Sequence, residues 1–174
     1  MNNRIIAAIA FAAHKHRDQR RKDEAASPYI NHPIALANVL TNEAGIDDEA
    51  VLIGAILHDT VEDTETTEQE LVEAFGRTIA DIVLEVTDDK NLPAADRKRL
   101  QIEHAATISR PAKLVKLADK ICNLRDIAHS PPAGWSLQRK QEYFDWAKAV
   151  VDNLRGAHPQ LERLFDLAYA ARPQ

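Results

Sequence analysis

Leu52-Ile53-Gly54-Ala55-Ile56-Leu57-His58-Asp59-Thr60-Val61-Glu62-Asp63-Thr64 decides the fold: a strongly apolar run ends abruptly in a histidine and three carboxylates. Such a run reads as a helix buried in the core, so the polar cluster at its end sits where burial is costly unless something compensates the charge. A metal ion is the evident compensator. On a helix, side chains three and four positions apart share a face, which aligns His58 with Glu62, and Asp59 with Glu62 and Asp63. His58 and Asp59 lie about a hundred degrees apart around the axis, so both can reach one ion beside the helix. Glu62 and Asp63 come one turn later, placed to handle a metal-bound water. An isolated His-Asp pair at a fraying helix end is cheap to match by chance. The full His-Asp-x-x-Glu-Asp string on an apolar helix is much rarer.

Working outward, the helix begins near Asp48, after the stop and turn of Ala44-Gly45-Ile46-Asp47. Before it, Ile5 to about His16 has helical apolar spacing and many alanines. Tyr29-Ile30-Asn31-His32-Pro33 closes a loop and places His32 at a fixed corner just ahead of a helix from Ile34 to Asn42. After the cluster, Thr66 with Gln69 and Thr67 with Glu70 are two capping-box patterns for a short helix to Phe75. Gly76 ends it, Arg77 to about Val86 is another helix, and Ala94 to about Ala106 a polar one. Ser109-Arg110-Pro111 opens a long helix to about Ala128, with Asp119, Asn123 and Asp126 on one stripe and Asp119 among apolar neighbours. A buried aspartate needs a partner; Lys116 or Lys120 is the ordinary one, although in-helix pairs of that kind are usually surface features. Helices from about Leu137 to Arg155 and from Gln160 to about Ala171 complete an all-α chain, an irregular bundle of roughly eight to ten helices.

At 174 residues the chain fits a single domain, residues 1–174, and can bury a substantial core. One cysteine, Cys122, excludes an internal disulfide framework and suits a reducing cytosol. The opening Met1-Asn2-Asn3-Arg4-Ile5-Ile6 leads straight into an amphipathic pattern with no signal-cleavage region, and no run approaches a membrane span. A cytoplasmic protein is expected. The net charge of −5 does not favour nucleic acid as a partner. Within this acidic chain, His14 to Lys22 is a local cationic patch, either a solvated helix end or an edge that binds phosphate.

If His32, His58, Asp59 and Asp119 share one ion, two imidazoles and two carboxylates leave positions open on an octahedral metal. Such a set suits a hydrolytic site with Mn²⁺ or Fe²⁺, or with Zn²⁺ or Co²⁺. The open positions would hold a water and a substrate phosphate oxygen, with Glu62 and Asp63 moving protons. The chemistry is phosphoester or pyrophosphate-ester hydrolysis.

The pattern of His32, His58-Asp59 and Asp119 resembles that of the HD-domain metal-dependent phosphohydrolases. The added Glu62-Asp63, Arg21-Lys22, Pro28-Tyr29-Ile30-Asn31-His32-Pro33, Phe75-Gly76, Val86-Thr87 and Lys116-Leu117-Ala118-Asp119-Lys120 with Asn123-Leu124-Arg125 look specifically like the hydrolase domain of RelA/SpoT proteins. Over nearly the whole chain the similarity is to the stand-alone small alarmone hydrolases of the metazoan SpoT-homologue type. That resemblance implies a Mn²⁺-dependent (p)ppGpp 3′-pyrophosphohydrolase with no synthetase or regulatory domain, whose partner is the nucleotide itself. It further implies metal ligation by His32, His58, Asp59 and Asp119 and catalysis by Glu62 and Asp63. Arg21, Lys22 and Asn123 would contact the nucleotide, and Arg139 and Tyr143 would face its phosphate and nucleoside sides. The chain departs from the long RelA/SpoT enzymes at Ala25-Ala26-Ser27, Thr87-Asp88-Asp89-Lys90 and Cys122, all at the rim. The alternative of the same chemistry is a phosphatase acting on NADPH or another 2′- or 3′-phosphorylated nucleotide; a catalytically dead nucleotide-binding module is disfavoured because all six metal and catalytic residues are present.

Overall fold

A computed structural model describes residues 3–174; residues 1 and 2 of the opening stretch lie outside the described residues. Among the described residues there are ten α-helices: α1 (Arg4–Lys15), α2 (Asn31–Asn38), α3 (Glu49–Leu57), α4 (Thr60–Asp63), α5 (Glu68–Phe75), α6 (Arg77–Val86), α7 (Ala94–His104), α8 (Arg110–His129), α9 (Leu137–Asp152) and α10 (Pro159–Tyr169). A π-helical turn, Val39–Glu43, continues α2. Strand pairing among these residues is limited to two isolated bridges, Arg20 with Pro28 and Asp23 with Pro132, which pin the loop after α1.

The reason α3 organises the rest is that it has no polar face. Every residue from Val51 to Leu57 is buried, as expected of a helix that is apolar all round. It is the wall between two apolar clusters. Val51, Leu52 and Ala55 belong to the cluster completed by residues of α8, α9 and α10, while Ile53, Ile56 and Leu57 belong to the one completed by residues of α1, α5 and α6. Gly54 permits the close approach of α6, because a Cβ there would stand 2.7 Å from Ile82 Cγ2.

Caps fix the ends of the elements as the sequence suggests. Asp48 accepts from Ala50 and Val51, and Ser109 from Ala112. Of the two capping-box patterns the chain uses the second, with Thr67 accepting from the Glu70 amide.

Two expectations are corrected. His32 lies inside the first turn of α2 rather than ahead of a helix, and Pro33 is the third helical residue. Amides of a first turn need no intrahelical partner, so proline is tolerated there and the preference of its predecessor for extended backbone is overruled. The central helix also does not run through the acidic cluster. It stops at Leu57 and restarts at Thr60, with Asp59 between them at φ −101° and ψ 1°. The Thr60 hydroxyl donates to the Leu57 carbonyl at 2.7 Å and satisfies the interrupted end.

No described helix is long and apolar enough to cross a membrane.

Gly54→Ala tests the close packing of α3 on α6. Helix propensity alone favours alanine by about 1 kcal/mol, but Ile82 is branched at Cβ and cannot swing aside, so overpacking by about 1–3 kcal/mol prevails. The expected result is a lower urea midpoint for Gly54→Ala, partly restored by adding Ile82→Val; a midpoint raised by the single change would contradict the packing.

Candidate active site

Three elements bring the histidines and acids together. His32 comes from the first turn of α2, His58 caps α3, and Asp59 occupies the turn that follows. One ligand atom from each lies within 4.8 Å of the others. From α8, Asp119 Oδ1 approaches to 3.2 Å from His32 Nε2 and 4.0 Å from His58 Nε2. Of the four residues expected to bind metal, His32, His58 and Asp59 thus form one group, and Asp119 joins it beside the two histidines.

Their neighbours orient them. His58 Nδ1 donates to the Ala55 carbonyl at 2.7 Å, which leaves the Nε2 lone pair directed into the cluster. That nitrogen is 2.9 Å from Asp59 Oδ2, yet it is buried with no aligned hydrogen-bond partner. Asp59 occupies an N-cap position but makes no capping bond; instead the Tyr29 hydroxyl donates to its carboxylate. A buried imidazole nitrogen without a partner, beside carboxylates withheld from their usual tasks, fits a divalent transition metal with mixed nitrogen and oxygen ligands.

Electrostatics agree. Burial would drive His58 toward neutrality, but the charges of Asp59 and Asp119 overrule it and lift its pKa to about 9. Burial would lift the acids, yet His58 holds Asp59, and Lys120 with His32 holds Asp119, below the usual carboxylate range. His32 is pushed down, chiefly by burial. The cluster is built around concentrated positive charge, which a proton on His58 supplies when a metal does not.

Glu62 and Asp63, on α4, occupy different environments. Burial raises the Glu62 carboxyl to about 7, although the Asp88 amide donates to it at 3.0 Å and opposes the shift; the charges of Asp59, Asp88 and Asp63 add to it. Asp63 is held by Lys90 and by Gln19 Nε2 at 2.9 Å. Gln19 is set in turn by the buried His16, whose Nδ1 donates to Gln19 Oε1 at 2.6 Å. The sequence reading missed Gln19, His16 and Lys90; their only signal was membership of the basic patch and the charged loop.

Beside the cluster lies a cavity of about 530 Å³ lined by Arg20, Arg21, Lys22, Asn123, Trp135 and Tyr143, with His32 and Asp63 at its inner edge. The basic patch thus divides: Arg20 to Lys22 line the cavity, whereas Lys15 turns away to Glu70 and Glu65. Arg21 Nη2 donates to Asn123 Oδ1 at 3.1 Å and to Asp126 Oδ2 at 2.7 Å, and Asn123 Nδ2 donates to Asp119 Oδ1 at 2.7 Å. Tyr143 borders both the cavity and the metal-ligand cluster. Arg139 does not reach that cluster; its guanidinium stacks 4.4 Å from the Trp135 ring in a neighbouring hollow shared with Lys22 and Lys98. Cys122 is buried, and burial raises its thiol pKa, so it packs rather than reacts.

The family model described as the HD domain matches residues 8–145. The chain belongs to the HD-domain family. This HD domain is 57% identical over 162 residues to the guanosine-3′,5′-bis(diphosphate) 3′-pyrophosphohydrolase MESH1 of Xenopus tropicalis, covering 93% of this chain and 90% of the relative. It is likewise 57% identical over 168 residues to the Homo sapiens protein of that name, covering 97% and 94%. Among solved structures, a metazoan SpoT orthologue that hydrolyses ppGpp and plays a role in starvation responses superposes with a TM-score of 0.95 at 48% identity, over 99% of this chain and 97% of that one.

Two outcomes follow from the geometry. In chelator-treated protein His58 titrates near 9 instead of its ordinary 6.5, so its contribution to stability is complete below about pH 6.5 and disappears as pH rises through about 9. Thermal unfolding without metal is therefore expected to shift downward across that window, and loading a divalent metal near neutral pH to expel about one proton; a flat profile with no proton release would refute this. Tyr29→Phe removes the hydroxyl that aims Asp59 and is expected to weaken divalent-metal affinity about 10- to 100-fold with little loss of fold, measured by competition against a metal-sensitive dye.

Proposed function

We propose that this HD domain is a Mn²⁺-dependent (p)ppGpp 3′-pyrophosphohydrolase, acting as one catalytic unit over residues 1–174. Water is added across the bond between the nucleotide 3′ oxygen and its phosphorus, giving GDP or GTP and pyrophosphate. One observation supports the reading: His32, His58 and Asp59 offer ligand atoms within 4.8 Å of one another with Asp119 beside the histidines, near a carboxyl poised close to neutrality and a cavity lined by Arg20, Arg21 and Lys22. The pyrophosphohydrolases to which the chain is similar supply the substrate class.

His32, His58, Asp59 and Asp119 would hold the ion, and the two nitrogen donors favour Mn²⁺ over Mg²⁺. When bound, such an ion polarises a phosphoryl oxygen and acidifies a water. The remaining work falls to the chain. Glu62, with its pKa near 7, exchanges protons readily at neutral pH. Ionised, it takes a proton from the attacking water as the new oxygen–phosphorus bond forms. The phosphorus–O3′ bond then breaks with its electron pair on O3′, which receives that proton back. Asp63, clamped by Gln19 and Lys90, orients the water. Arg21 and Lys22 face the nucleotide phosphates with forked and point-charge donors, Asn123 and Tyr143 flank the ribose, and Arg139 on its Trp135 shelf meets the 5′ end.

Pyrophosphate and orthophosphate release from ppGpp, measured with Mn²⁺ or with EDTA and run beside NADPH, tests the proposal. Glu62→Gln is expected to lower turnover by about 100-fold or more while retaining metal, and Asp119→Ala to lose both metal and turnover. Folded, Mn²⁺-loaded protein that leaves ppGpp intact would overturn the assignment, and orthophosphate from NADPH would transfer it to a nucleotide phosphatase.

A further inference from the structure

Two lysines line the pocket of the histidine–carboxylate cluster without a role in the ligation or proton transfer proposed above. Lys116 and Lys120 are one turn apart on α8, so they share a face. Both are buried, at 6% and 3% exposure, unusual for an ammonium group without a specific partner. They line the pocket of about 200 Å³ that contains His32, His58, Asp59, Glu62 and Asp119 and do not border the larger cavity of Arg20 to Lys22.

Neither ammonium has a carboxylate to itself. Lys120 Nζ donates to Asp119 Oδ2 at 3.0 Å and sits 4.4 Å over the Trp146 ring, but Asp119 is shared with His32 and Asn123. Lys116 Nζ has only the Val86 carbonyl, at 3.4 Å, and no carboxylate among the described residues lies within salt-bridge distance of it. Burial and the charge of Lys120 push its pKa down, in keeping with a cation that lacks a counter-ion.

We propose that Lys116 and Lys120 seat the outer phosphate of the substrate's 3′-diphosphate, and so select a diphosphate over a monophosphate ester. The inference rests on the pyrophosphohydrolase reading. If the nucleoside lies in the large cavity and the reacting phosphorus at the four ligands, the outer phosphate continues past them, toward the lysine side. A 3′-monophosphate ends at the ligands and leaves the lysines unmet. Two buried ammonium groups beside a divalent ion repel it and each other; a bridging polyanion cancels both repulsions.

The test is titration of pyrophosphate and of orthophosphate into the Mn²⁺-loaded full chain, in wild type, Lys116→Met and Lys116→Arg. The same proteins are assayed on ppGpp and on its 3′-monophosphate analogue. Methionine replaces a buried unpaired charge by an apolar group of similar length, a change that folds tolerate. Arginine keeps the charge should methionine fail to fold. Wild type is expected to prefer pyrophosphate; Lys116→Met to lose about 10- to 100-fold of that affinity with orthophosphate nearly unchanged; and Lys116→Arg to retain most of it. The loss of kcat/KM is expected for ppGpp and not for the monophosphate. Equal losses for both anions, or none for either, would overturn the seat. If ppGpp is cleaved equally well by wild type and Lys116→Met, the seat falls and the activity stands. If wild type selects pyrophosphate through Lys116 yet leaves ppGpp intact, the activity falls and a diphosphate seat stands.

Discussion

The site of this protein answers to one constraint: carboxylates and imidazoles are gathered at the end of a helix that has no solvent face. Charge in such a place must be matched locally, because withdrawal from water costs several kcal/mol per ion. The chain matches it pair by pair. His58 faces Asp59, His32 and Lys120 share Asp119, Lys90 holds Asp63, and Arg21 holds Asp126. Among the described residues Glu62 has no cation within salt-bridge distance, and burial lifts its carboxyl to about 7. The acid raised toward neutrality is thus the one that the network leaves over.

The same network joins the two chambers. Arg21, on the cavity wall, donates to Asn123, and Asn123 donates to the Asp119 oxygen that faces both histidines. An anion drawing Arg21 toward itself would loosen that donation and change how Asp119 presents its oxygens. The cavity wall and the cluster are thereby joined by a hydrogen-bond chain through two side chains.

Much of this was legible in the sequence. Helix-period patterns and capping residues placed α1, α5, α6, α8 and α10 to within a few residues, because these elements obey local rules. His32, His58, Asp59 and Asp119 could be singled out as candidate ligands because a histidine and acids set against an apolar run are too costly to bury without an ion to match them. Less visible was whatever tertiary packing decides. Thr60 and Val61 tolerate a helix, so periodicity gives no hint of the break after Leu57. Pro33 suggests a boundary that α2 ignores. The α2 continuation through a π turn, held where Arg125 grips Glu43 with two bonds of 2.8 Å, depends on residues 82 positions apart. Lys116 and Lys120 look like surface lysines, as most lysines are. Arg139 and Tyr143, four apart, share a helix face and both meet Trp135 of the preceding loop, but only Tyr143 extends to the pocket of the histidine–carboxylate cluster.

The break after Leu57 also shows how sequence neighbours come to act as one site. On an unbroken helix His58 and Asp59 would diverge by about a hundred degrees, and Asp59 would share its face with Glu62 and Asp63 in a cluster of three acids. Placing Asp59 in a non-helical turn brings its carboxylate to 2.9 Å from His58 Nε2. The restarted α4 can then carry Glu62 to the Asp88 amide and Asp63 to Gln19 and Lys90. One helical stretch of like charges becomes three acids with separate partners. A two-residue interruption at the end of an apolar helix is what gives three acids within five consecutive positions three different surroundings.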